Sequence, residues 1–160
     1  MSKMKLTLMF ASVFVGCAIG FIAVRVAWAT PGQGISTTII SGPTFLPASV
    51  IKSETGGHEV EIKTKGSSDI WVVHNKIAPG GHTGWHSHPG PSIISVKSGT
   101  ATEYHGDDPN TPIVHFAGSS FVDDGQGAHI VRNEGSTDLE LVAFQILPSG
   151  ATRRIDQPAP

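Results

Sequence analysis

Two histidines, His86 and His88, stand two residues apart in a segment that reads as a strand. Side chains alternate across a strand, so both imidazoles fall on one face, roughly 6.5–7 Å apart at the backbone. Two imidazoles on one face can bind one divalent ion, although a half-exposed strand can also carry such a pair without any ligand. Six further histidines are scattered at 58, 74, 82, 105, 115 and 129. His82 shares the parity of the pair and offers a fourth ring, against the plainer reading of a solvated loop histidine. His105 and His115 flank a turn and are expected to be exposed. Glu103 and Tyr104 are neighbours on one strand, so only one of them can point inward as an acid, base or supporting group. Gln145 sits among aliphatic residues, where a buried amide needs partners. Asp123, Asp124 and Arg132 read as surface charges. Ser87, Ser92, Ser119 and Ser120 lack a Gly-x-Ser-x-Gly elbow, which argues against nucleophilic hydrolysis.

The spacing around these histidines is more specific than the histidines alone. Gly80 is followed after five residues by His86-Ser87-His88, and Gly99 lies eleven positions further on. Gly118 is followed eleven positions later by His129, and three residues separate His129 from Asn133. This pair of boxes resembles the two conserved boxes of the cupin superfamily, and the resemblance spans residues 70–147. It implies a small antiparallel double-stranded β-helix, a jelly-roll barrel, whose two boxes face each other. It also implies that His129 joins His86 and His88 as ligands to a divalent transition metal (iron, manganese, zinc, nickel or copper). The first box of the family carries a further ligand, a glutamate, where this chain has Ser92. A serine hydroxyl is a poor ligand, so the site is expected to be three-histidine. In the second box the usual proline and glycine are Asp124 and Gln126. Three neutral ligands leave the charge of the ion uncompensated and favour anionic partners. Three-histidine iron centres of cupin-type dioxygenases show that oxygen activation is compatible with such a set.

The elements that would position these residues are short and β-rich. The full chain has 19 glycines and 11 prolines, and its brief apolar runs are punctuated by turns, as in all-β sandwiches and barrels. Strands are expected at 59–65, 69–78, 85–88, 92–97, 100–105, 113–116, 121–122, 128–132 and 139–147. Turns are expected at Pro79-Gly80-Gly81, at Pro89-Gly90-Pro91 and over residues 106–110. Glycine supplies the positive φ that corners at Gly99 and Gly118 would need. Residues 30–50 read as an extended arm with one edge strand over 37–40, residues 51–150 as the barrel, and residues 151–160 as a polar tail.

The first 29 residues read as an export signal rather than as part of the fold. Lys3 and Lys5 precede an apolar run over 6–24, and Ala27-Trp28-Ala29 offers a small-residue cleavage pattern before Thr30. The alternative is an uncleaved membrane anchor over 6–24. The remaining 131 residues make one domain, with 8 basic against 13 acidic side chains, which invites neither nucleic acid nor an anionic membrane. The one cysteine, Cys17, falls within the signal, so metal chemistry in the exported part must rest on nitrogen and oxygen. The expected protein is a periplasmic or secreted metal-binding cupin acting on a small organic molecule in dioxygenase fashion. The competing expectation is a non-catalytic module that holds a metal or small ligand. A homodimer is expected because sheet edges need cover.

Overall fold

The structure is a computed structural model and describes residues 29–160. The expected export signal, Ala29 apart, lies outside these residues. Twelve strands are present among the described residues: β1 (Gln33–Leu46), β2 (Val50–Thr55), β3 (His58–Lys63), β4 (Ser68–His82), β5 (His86–Ser87), β6 (Ser92–Ser98), β7 (Thr100–His105), β8 (Asp108–Phe116), β9 (Ser120–Asp123), β10 (His129–Arg132), β11 (Leu139–Pro148) and β12 (Ile155–Asp156). No described helix is long and apolar enough to cross a membrane. All pairings are antiparallel.

Ten strands form one sheet folded into two facing halves. One half runs β1-β4-β11-β6-β9 and the other β12-β5-β10-β7-β8. At one seam β4 bends over, so that its last residue, His82, pairs with Arg132 of β10. At the other, the β8–β9 turn returns two backbone hydrogen bonds to Val96 of β6. The result is a nearly closed all-β barrel, as expected. The β2–β3 hairpin forms a separate two-stranded ribbon.

Alternation along the strands fills the barrel in layers. Val73, Ala143, Ile94 and Phe121 are register neighbours across β4, β11, β6 and β9, and all four are buried. Leu141 and Val96 occupy the next layer, with Ile77 and Leu139 beyond. Burying a side chain of this size contributes about 1.5–3 kcal/mol. One layer breaks the rule: Gln145, Ser92 and Asp123 are register neighbours, all inward and all polar. This polar row lines the cavity along with the three expected metal histidines.

Four expectations need correction. The arm is a 14-residue strand pairing with β4 from Gln33 to Leu46, with register breaks where Gly34 and Gly42-Pro43 interrupt it. Those breaks hid the strand, because they shift its alternation out of phase. Pro79-Gly80-Gly81 is not a turn. Gly80 takes φ +75, its N–H donates to Asn133 O at 2.8 Å, and β4 bends there into the second half. Glycine alone reaches that φ cheaply. The five-residue turn over 106–110 contracts to Gly106-Asp107, because β8 starts at Asp108. The tail also carries more order than expected, since β12 pairs with β5. Gly99 and Gly118 adopt the positive φ expected of them.

Candidate metal centre

His86 opens β5 and His88 directly follows its last residue, while His129 opens β10 directly opposite His86 in register. Their exposures are 6, 9 and 4 %, and one nitrogen from each lies within 4.8 Å of the other two. The ring centroids are 4.9 Å apart for His86–His88, 4.2 Å for His86–His129 and 5.5 Å for His88–His129.

The backbone orients every ring. Nδ1 of His86 lies 2.9 Å from Gly84 O, that of His88 2.7 Å from Arg153 O, and that of His129 3.5 Å from Gly127 O. A carbonyl only accepts, so in each pair Nδ1 carries the proton and donates it. Nε2 is then left with its lone pair free, the arrangement seen in metal-ligating histidines. Burial pushes the His86 imidazole down to about 2, helped by the neighbouring His129, Arg154 and His88. Burial likewise lowers His88. Both rings therefore stay neutral, as a metal requires. The donor set fits a borderline transition ion.

The supports come from distant parts of the chain. Gly125, at φ +81, packs so closely that a Cβ there would stand 2.6 Å from Gly90 O and 2.8 Å from His88 O. Gly125, between the two positions where the second box departs from the family, is thus what lets the β9–β10 turn close against the first box. Asn133 ends that box as a corner brace, donating through Nδ2 to Ile77 O and Thr137 O, both at 2.8 Å. Gln157 ties the tail down, with its N–H on Trp85 O and its side-chain amide on Ser87 Oγ.

The cluster lines a cavity of about 220 Å³, with Val73, Ile94, Leu141 and Ala143 among its apolar walls. Gln145 lines it and finds the partners a buried amide needs, donating to Ser92 Oγ at 3.0 Å and accepting from Arg153 Nη1 at 3.4 Å. Arg153 and Arg154 also line the cavity, and Arg154 Nε pairs with Asp156 at 2.6 Å.

Several expected roles fall elsewhere. His82 is not a fourth ring of the cluster; its Nδ1 accepts from Gly84 N at 3.1 Å. His115 is not exposed but half-buried, bonded to Glu103 Oε2 at 3.0 Å and stacked on Phe121 at 4.0 Å. Its neighbour Phe121 offers the apolar cover that a turn-flanking position rarely has. Glu103 is the inward member of its pair, and Tyr104 turns out to bond Glu134. His74 pairs with Glu140 at 3.1 Å. Asp123 and Arg132 do not pair at the surface. Arg132 lies 5.0 Å over the Tyr104 ring, whereas Asp123 is buried beside His88 and His129. A sequence signal for this existed: Asp123 shares its parity with Phe121, whose apolar side chain marks the inward face of β9.

A barrel of this topology with histidines from two facing strand pairs defines a class, and the comparisons agree. Residues 73–145 match the cupin domain family, and that stretch of the chain is a cupin domain. It is similar in structure to Rru_A2000, a cupin-2 domain protein from Rhodospirillum rubrum, with TM-score 0.52 and 11% identity, covering 79% of this chain and 68% of that one. It is also similar to the Cupin_2 domain of an XRE family transcriptional regulator from Enterobacter cloacae, with TM-score 0.47 and 13% identity, covering 72% and 97%. A double-stranded β-helix protein from Klebsiella pneumoniae gives TM-score 0.48 and 23% identity, covering 56% and 76%. At 11% identity the likeness to Rru_A2000 shows the fold alone. No curated protein matches the chain.

Proposed function

We propose that this protein binds one divalent transition ion through His86, His88 and His129 and uses it on a small organic molecule, in the manner of a dioxygenase, in the cell envelope. One observation carries the reading: three buried imidazoles converge with one nitrogen of each within 4.8 Å of the others, and each Nδ1 is turned to a backbone carbonyl, which leaves Nε2 for an ion. A bound ion would supply Lewis acidity and, with a redox-active metal, one-electron chemistry. The chain itself supplies the rest. The apolar walls exclude water, the small cavity limits substrate size, and Arg153 and Arg154 favour an anionic group. The envelope location rests on the signal pattern of residues 1–29, and N-terminal sequencing of the exported form should start at Thr30.

Elemental analysis of the purified protein tests the metal. About one transition ion per chain is expected in the wild type, and none in a His86→Ala, His88→Ala variant. A wild type that takes up no iron, manganese, zinc, nickel or copper on reconstitution would overturn the reading.

A further inference from the structure

Asp123 belongs to neither box as a ligand, yet its carboxylate faces the site. The residue is 6 % exposed. Its Oδ1 accepts from Gly125 N at 2.8 Å, which fixes the carboxylate in a turn. Its Oδ2 is buried without a hydrogen-bond partner, and lies 3.7 Å from Nε2 of both His88 and His129. That distance is too long for a hydrogen bond. Since the protons of both rings are committed at Nδ1, Oδ2 and the two Nε2 atoms are three acceptors facing one another. Acceptors alone do not hold each other, and a buried unpaired carboxylate is costly. A cation at their centre satisfies all of them. Four ligands about 2.1 Å from a tetrahedral ion stand about 3.4 Å apart, close to the separation observed.

The register supplies an independent reason. Asp123 is the cross-strand partner of Ser92, the position where the resemblance expects a glutamate ligand. The carboxylate lost from β6 is present one strand over, on β9, in the same inward row. We infer that Asp123 is a fourth, anionic ligand of the ion, making the site three histidines and one aspartate. This rests on the proposed three-histidine metal site and deepens it. It also alters the charge argued from sequence, since one carboxylate offsets half of a +2 ion and leaves less drive towards anionic partners.

Asp123→Asn tests the assignment. The amide keeps the volume and the acceptor for Gly125 N, and it replaces the free carboxylate oxygen with a neutral group. Wild type and variant are titrated with zinc and with cobalt(II) against a competing chromophoric chelator, and their metal-free forms are melted. Expected are a loss of zinc affinity of about tenfold to a hundredfold or more, a changed visible spectrum of the cobalt form, and a metal-free variant that melts no lower than wild type. An aspartate that merely braces the turn gives the opposite pattern: a lower metal-free melting temperature with an unchanged cobalt spectrum. That pattern overturns the inference, as does wild-type affinity in the variant. Either result leaves the three-histidine reading standing, whereas a wild type that binds neither ion removes both.

Discussion

A buried imidazole with its Nδ1 proton committed to a carbonyl has little to gain from a second proton, and His86 carries this furthest. The unfolded chain takes up a proton there near pH 6.5, whereas the folded metal-free chain resists it down to about 2. Between those limits the unfolded state binds more protons, so stability falls as pH falls. Its full value holds above about pH 6.5. The metal-free protein is expected to lose about 2 kcal/mol between pH 7 and pH 5 from this residue alone, as measured by urea unfolding. His88 adds a loss in the same direction. A His86→Gln variant should flatten the profile. The three histidines were legible because their spacing is set by strand period and by glycine corners. For Asp123 only the inward side was legible, from its parity with Phe121; its place beside the histidines was not, because that depends on which residue of β6 lies opposite, and register across a barrel is not written in local pattern.

Strands with clean alternation, such as β11, were legible almost to the residue. Those broken by bulges or proline were not: β1 passed for an arm, and β12 for a loose tail. The second oversight matters most, because the segment around β12 orients a ligand. Arg153 offers its backbone carbonyl to His88, and Ile155 and Asp156 pair with Ser87 and His86. Deleting residues 153–160 should therefore leave the barrel core folded, since that core comes from β4 to β11. Metal affinity should nevertheless fall about tenfold or more, because the His88 ring loses its anchor. Arg153→Ala keeps the carbonyl and should retain affinity. Calorimetric titration of both variants separates the backbone role from the side-chain role.

For the molecule as a whole, barrel stability and ion binding are linked. Any ion that binds only the folded state stabilises it by mass action, about 2.7 kcal/mol at a hundred times Kd. For a domain of this size that is roughly a 10 °C rise in Tm. Thermal melts with and without zinc should show it, and the His86→Ala, His88→Ala variant should not respond. The barrel class was legible from the two boxes and the turn-rich composition. The seams that close it were not, because one depends on β4 continuing through Pro79-Gly80-Gly81 and the other on the β8–β9 turn reaching β6.

The strap over residues 153–157 has a temporal meaning as well. During translation the ribosome releases His86, His88 and His129 before the carbonyl that steadies one of them. An ion meeting the growing polypeptide finds loose imidazoles rather than a preformed cage. Tight loading is thus expected only once the chain has folded through β12, and an ion met earlier is held more weakly.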